Sequence, residues 1–230
     1  MFSVLIPVYN EREILKKNLE KLVKHLDGLG GKYEIVVCSN GSTDGTDAIG
    51  GILAKKHPGK INFISIETRG VGYAFREMVL AAKSDKLVCF DADLTTDLKF
   101  LGECAKMLDE YDIVLGSKMI GEQKRGIHRI MVSKGYINLV RLLFRLDFGD
   151  YSIGAKGYRK SRIINHLEDV DAGSSYVLEM VYHVIKEGGS VTEIPVFCND
   201  TRGSKFNIFH EIIYRFKNLL AFWIKTKRVK

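Results

Sequence analysis

Nowhere in the 230 residues do two cysteines form a C-x-x-C pair. The four present, Cys38, Cys89, Cys104 and Cys198, are scattered, and two of them sit inside apolar strand-like runs. This excludes a disulfide framework and a zinc-type spacing, and it reads as reduced core thiols in a cytosolic setting. His25, His57, His128, His166, His183 and His210 likewise show no metal-ligand spacing. No apolar run approaches the roughly 18 residues of a spanning helix. Strand-like sequence begins at Phe2, so no signal peptide is expected. Internal repeats, low-complexity tracts and linker-like segments are missing too. A chain of this length and hydrophobic content fits one large globular domain or two small ones, with a substantial core.

The formal net charge of +7 calls for an anionic partner: nucleic acid, an acidic lipid surface or a phosphorylated substrate. The positive charges are dispersed, with no basic groove interleaved with aromatics, which argues against nucleic acid.

In chain order, Phe2 to Val8 is a continuous apolar strand, and Asn10 is placed to cap a helix carrying Glu11 and Glu13 in its first turn. Ile14, Leu15, Leu19, Leu22, Val23 and Leu26 recur at helical spacing. Tyr33–Cys38 and Ile61–Ile66 read as further buried strands, each followed by a polar loop and a helix. Lys86–Phe90 is a fourth, and it ends in Asp91-Ala92-Asp93-Leu94-Thr95-Thr96-Asp97. Beyond it lie a helix through Leu108, a strand at Ile113–Leu115, the basic loop Gln123–Arg129, a helix over Lys134–Leu146 and an irregular strand over Asp150–Tyr158. Last come a helix over Tyr176–Lys186 and an edge-type strand at Val191–Val196, where Pro195 lacks a ladder donor. Alternating strands and helices with continuous apolar runs predict an α/β fold: a mostly parallel sheet covered by helices on both faces.

In such sheets ligands sit beyond the carboxyl ends of the strands, where Pro7–Glu11, Ser39–Asp44 and Asp91–Asp97 all fall. On an extended backbone, Asp91 and Asp93 would point the same way and meet one hard cation, Mg²⁺ or Mn²⁺, together with substrate phosphates. A polar loop after a core strand is the plainer reading of an isolated Asp-x-Asp. Gly70-x-Gly72 lacks a third glycine in register and follows the third strand, so a nicotinamide-binding reading is rejected.

The ordered set Ile6-Pro7-Val8-Tyr9-Asn10-Glu11, Asn40–Thr46, Asp91-Ala92-Asp93-Leu94, Gly116-Ser117-Lys118, Arg129-x-x-x-Ser133, Asp150…Gly154-Ala155-Lys156, Glu193-Ile194-Pro195-Val196 and Arg202-x-Ser204-Lys205 resembles the inverting GT-A glycosyltransferases of family 2. The nearest subgroup is the polyprenyl-phosphate (dolichol-phosphate) mannosyl- and glucosyltransferases. The resemblance implies a GT-A (nucleotide-diphospho-sugar transferase) fold and transfer of a hexose from GDP-mannose or UDP-glucose to a polyprenyl phosphate. It also implies roles for residues. Pro7, Tyr9 and Glu11, with Ser39 and Asn40, would line the nucleobase pocket, and Ala92 would touch the donor through its backbone. Asp91 and Asp93 would hold the metal, and Arg202 and Lys205 would close over the donor phosphates. Lys118, Arg129 and Ser133 would meet the acceptor phosphate.

Three departures stand out. Ser39 and Asn40 replace the family's usual acidic pair, Thr95 stands where a glutamine is common, and Lys118 where an arginine is common, losing a two-pronged phosphate grip. A lipid phosphate is already largely anionic, its second pKa being about 6, and needs no base. A hydroxyl acceptor would need one, and Asp97 is the nominee, set against a plain role at a helix N-terminus. The competing functions are a same-family transferase acting on a hydroxyl of a glycan or glycolipid, and a non-catalytic sugar-nucleotide or nucleic-acid binding module.

The C-terminal stretch forms a separate unit in this reading, with residues 1–205 catalytic and 206–230 an amphipathic basic helix. Phe209, Ile212, Ile213, Phe216, Leu219, Leu220 and Trp223 make a stripe flanked by Arg215, Lys217, Lys225, Lys227, Arg228 and Lys230. Such a helix suits either an anionic membrane surface or packing on the core. The expectation is a peripheral enzyme on the cytoplasmic membrane face, with a separate membrane protein as a candidate partner.

Overall fold

The computed structural model describes residues 1–121, 127–170, 172–197 and 208–228, without the side chains of 127–129, 169, 208–212 and 228. Seven strands form one sheet: β1 (Phe2–Val8), β2 (Tyr33–Asn40), β3 (Ile61–Ile66), β4 (Lys86–Cys89), β5 (Ile113–Ser117), β6 (Lys156–Arg159) and β7 (Val191–Pro195). Their order is β3-β2-β1-β4-β6-β5-β7. Every pairing is parallel except those of β6, which runs antiparallel between β4 and β5. Pro195 lies on β7 at the sheet's edge, where its missing N–H costs no ladder bond.

Two apolar layers sandwich the sheet. One buries α1 (Arg12–Gly28) and α4 (Lys99–Met107) through Leu15, Leu19, Leu22, Leu26, Phe100, Leu101 and Cys104, with Leu53 of α2 (Thr46–Lys56). The other buries α3 (Val71–Ala81), α5 (Ile127–Phe144), α7 (Tyr176–Lys186) and part of α8 (Ile208–Arg228). Strand side chains alternate between the layers, Leu5 facing one and Val4 and Ile6 the other, so the central strands are apolar at most positions, and buried exceptions such as Ser3 and Glu34 are paired, the Ser3 hydroxyl donating to Glu34 Oε1 at 2.6 Å. A short helix, α6 (Lys160–Ile163), and a 3-10 turn over Ile164–Asp169 follow β6 and carry no apolar period long enough to be seen in the sequence.

Three local expectations are corrected. Asn10 does not cap α1; it adopts a left-handed φ of 53° and its side-chain oxygen accepts from the Thr43 N–H at 2.8 Å. Asp44 takes over that end, its Oδ2 accepting from the Arg12 N–H while its Oδ1 accepts from the Thr46 N–H, so one carboxylate serves two helix N-termini. The second correction concerns α5, which begins at Ile127, so Arg129 and Ser133 lie one turn apart on the same helix instead of on a loop and after it. The third concerns the expected strand from Asp150, of which only Lys156–Arg159 is extended; Asp150 winds the chain by accepting from the Ser152 and Ile153 N–H groups.

The C-terminal stripe divides, and Phe222 and Ile224, outside the expected set, fall one on each side. Leu219 and Phe222 are buried in the core layer, Phe222 stacking on Phe144 with centroids 5.3 Å apart, and Phe216 meets Tyr136 edge-on at 5.8 Å. Ile213, Leu220 and Ile224 remain exposed. No helix among the described residues is long and apolar enough to cross a membrane.

Candidate active site

The carboxyl ends of β1, β2, β4 and β5 open on one rim, and the antiparallel β6 brings the loop 150–155 to the same rim. Two loops build its first wall. The Asn10 N–H donates to Ser42 Oγ at 3.1 Å and the Glu11 N–H to Thr46 Oγ1 at 2.9 Å, tying the segment after β1 to the segment after β2. Pro7, Tyr9 and Glu11 are half-buried along this wall. Arg69, which sequence reasoning passed over, lays its guanidinium 4.1 Å from the centroid of the Tyr9 ring, a cation–π contact. No spacing rule could have shown it, since the two residues are joined only through the sheet.

Ser39 and Asn40 are the last residues of β2 and both are buried. The Asn40 amide donates to the Val8 carbonyl at 2.7 Å and its oxygen accepts from the Gly70 N–H at 3.1 Å, so this side chain joins β1 to the start of α3. Ser39 Oγ donates to Ser42 Oγ at 2.8 Å. An aspartate at position 40 would lack the donor that the Val8 carbonyl requires, which is a structural reason for the neutral residue here.

The chain does not continue extended through Asp91 and Asp93. β4 stops at Cys89, and a tight turn follows in which the Leu94 N–H donates to the Asp91 carbonyl at 3.1 Å, with Leu94 at a φ of 53°. The two carboxylates therefore project from a turn at the rim, and the pleat that would have aligned them is absent. Asp93 Oδ1 accepts from the Thr95 N–H at 3.1 Å and from Thr95 Oγ1 at 2.9 Å, which fixes the rotamer of Asp93. The Ala92 carbonyl accepts from Asn18 Nδ2 at 2.9 Å, pinning the turn to α1. Behind Asp91, Gly154 leaves room for the carboxylate: a Cβ there would stand 2.1 Å from Asp91 Oδ1, and the carboxylate would have to move.

Asp97 is exposed, its Oδ1 accepting from the Lys99 N–H at 2.9 Å at the start of α4. It borders a cleft of about 460 Å³ on the α1–α4 flank, with Lys21, His25, Thr95, Thr96 and Phe197. Lys118 is buried. Its ammonium lies 3.3 Å from Asp150 Oδ2 and 3.4 Å from Ser152 Oγ. Burial alone would raise the Asp150 carboxyl, but Lys118, Lys156 and the Ser152 hydrogen bonds outweigh it and hold the group far below the usual carboxylate range. Lys156, missed as a site residue, is enclosed beside them, and burial pushes its ammonium down to about 8 against the pull of Asp150. Ser133 is half-buried on α5, and Arg129 stands one turn earlier on that helix, its side chain outside the described set. Arg202 and Lys205 lie outside the described residues.

Among the described residues no three His, Cys, Asp or Glu side chains gather as a metal-binding group. Asp91 and Asp93 would supply oxygen donors only, a donor chemistry that fits a hard divalent cation.

A family model described as Glycosyl transferase family 2 matches residues 3–166. Glycosyltransferase AglD of Haloferax volcanii is 28% identical over 96% of this chain, which spans only 36% of that longer protein. Polyprenol monophosphomannose synthase of Mycolicibacterium smegmatis is 28% identical, covering 84% of this chain and 75% of the relative. Among solved structures, glucosyl-3-phosphoglycerate synthase of Mycobacterium tuberculosis, in complex with Mn²⁺ and UDP-glucose, superposes with a TM-score of 0.72 at 15% identity, over 97% of this chain and 78% of that one. The β1–β4 rim, the acidic turn and these matches lead to one conclusion: the chain belongs to the family 2 glycosyltransferases, has their GT-A fold, and is a glycosyltransferase.

Proposed function

We propose that the protein transfers a hexose, with inversion, from a nucleoside-diphosphate sugar to a polyprenyl phosphate. The observation that carries this reading is the Asp91–Leu94 turn at the sheet rim, pinned to α1 through Asn18 and the Ala92 carbonyl, with the Asp93 carboxylate fixed by Thr95 and room for that of Asp91 left by Gly154. A divalent ion held by Asp91 and Asp93 would neutralise the charge that grows on the departing diphosphate. The wall made by Pro7, Tyr9, Glu11 and Arg69 receives the base, with Arg69 placed to present hydrogen-bond donors at its edge. The fully employed amide of Asn40 shapes that wall from behind.

On the acceptor side, Arg129 and Ser133, one turn apart on α5, orient an oxyanion that requires no deprotonation. This agrees with Asp97 serving as a helix-end acceptor for the Lys99 N–H. The lipid character of the acceptor is supported by the relative that makes polyprenol monophosphomannose and by the outer faces of α5 and α8. There Met131, Leu142, Ile213, Leu220 and Ile224 are exposed among Lys134, Arg141, Lys217, Lys225 and Lys227, an apolar, basic surface suited to an anionic bilayer and to peripheral attachment on its cytoplasmic side.

The test is incubation with radiolabelled GDP-mannose or UDP-glucose, polyprenyl phosphate and Mg²⁺ or Mn²⁺. The expected product is a lipid-extractable sugar phosphate cleaved by mild acid, absent with chelator and with Asp93→Asn. An acid-stable glycoside would redirect the acceptor to a hydroxyl, and no consumption of any donor would end the reading.

A further inference from the structure

We propose that Lys156 is a positioning residue that sets the metal-binding turn and the acceptor side of the site in register, acting through the loop 150–154; this rests on the reading of Asp91 and Asp93 as metal ligands.

Lys156 is 1% exposed and opens β6, with Cys89 of β4 opposite it on one side and Leu115 of β5 on the other. Stripping water from an ammonium costs several kcal/mol, and an apolar residue of similar size would fill the same space without that cost. The charge is thus retained against stability, and its contacts show where it acts. The ammonium donates to the Gly116 carbonyl at 3.1 Å and to the Asp150 carbonyl at 3.0 Å. It therefore clamps the end of β5 to the first residue of the rim loop.

From that anchored residue two branches run into the site. The Asp150 carboxylate accepts from the Ser152 N–H at 2.7 Å, Ser152 Oγ at 2.8 Å and the Ile153 N–H at 3.2 Å, winding the loop tightly. The winding delivers Gly154 to the back of the Asp91 carboxylate, where even one added methyl would overlap both carboxylate oxygens, at 2.1 and 2.5 Å. The other branch is Asp150 Oδ2, which takes the Lys118 ammonium at 3.3 Å and fixes the segment leaving β5. One enclosed ammonium thus sets the seat of a metal ligand and the course of the chain as it leaves β5 at Lys118. A lysine that only filled space would not need both carbonyls, nor would the loop need a bare Cα against Asp91.

The experiment pairs Mn²⁺ binding, followed by the electron paramagnetic resonance of free Mn²⁺, with steady-state kinetics and thermal melts. The variants are Gly154→Ala, Lys156→Met and Lys156→Gln, with Asp93→Asn as reference. Gly154→Ala, which alters no charge, is expected to weaken Mn²⁺ binding about tenfold and to leave the acceptor KM unchanged. Lys156→Met is expected to weaken Mn²⁺ binding by about the same factor and also to raise the acceptor KM. Lys156→Gln, which can still donate to one carbonyl, should fall between it and the wild type. A folded Lys156→Met with Mn²⁺ affinity and acceptor KM within twofold of wild type overturns the proposal. Should Lys156→Met fail to fold, Gly154→Ala and Lys156→Gln decide it, and unchanged Mn²⁺ affinity in both overturns it. If Asp93→Asn binds Mn²⁺ like wild type, the metal-site reading itself fails, a result separable from the others.

Discussion

Asp150→Asn removes one charge from a buried group that faces two lysines while keeping its size and one carbonyl-type acceptor. Lys118 lies 3.3 Å from the carboxylate, and at an effective dielectric of about 20 two unit charges at that separation attract by about 5 kcal/mol. Lost hydration offsets part of this in the wild type, but the variant leaves Lys118 and Lys156 buried without their counter-charge. Breaking such a pair by removing one partner costs about 3–5 kcal/mol. For a chain of this length the melting midpoint should fall by roughly 6–20 °C. Adding Lys118→Met should return much of the loss, because the stranded ammonium goes with it. The effect carries a pH signature. A carboxyl whose pKa is depressed by folding contributes stability above its unfolded value of about 4 and gives it up as the pH falls further. The gap between wild type and variant, read from urea unfolding at a series of pH values, should be full at pH 7 and narrow below about pH 4. A gap at neutral pH under about 1 kcal/mol would refute the reasoning, as would a double variant no more stable than the single one.

Two further outcomes follow from groups away from Lys156. Asp44→Ala uncaps α1 and α2 together, so its cost should reach about 1–2 kcal/mol in urea unfolding, where an exposed aspartate with no such duty would cost almost nothing. Cys38, Cys89 and Cys104 are buried, and burial pushes the Cys38 thiol up to about 12 and the other two well above their usual range. Peptide mapping after a short native pulse of iodoacetamide should find all three unlabelled, and full labelling only in denaturant.

Much of the sheet could be read from the sequence because the central strands β1, β2, β4 and β5 are buried on both faces and therefore written as largely apolar runs. β1, β3 and α7 have the bounds their runs suggest, and Pro195 marks the edge strand. Period and composition carry less where a tertiary partner decides. The turn at Asp91 is pinned by Asn18 of α1, and the left-handed Asn10 by Thr43 and Ser42, partners that no local pattern announces. The start of α5 escaped notice because a basic, glycine-punctuated stretch precedes it, although Ile127–Ser133 contains nothing that breaks a helix. The apolar stripe of α8 was visible, but its division between buried Leu219 and exposed Ile213 and Leu220, and the burial of Phe222 beside it, depend on where α5 presents Phe144. Lys118, expected on an acceptor phosphate, is buried against Asp150, about thirty residues on, a pairing that no local pattern announces.

The reversed strand has a consequence for how the molecule comes together. β4 emerges about seventy residues before β6, its partner on the side away from β1, so a growing chain exposes an unfinished edge until Lys156–Arg159 slots in. Until then nothing supports the acidic turn from behind. Synthesis alone cannot prepare this enzyme half by half: the first hundred residues supply most of the sheet, and the capacity for chemistry arrives only when a late, short segment closes the gap.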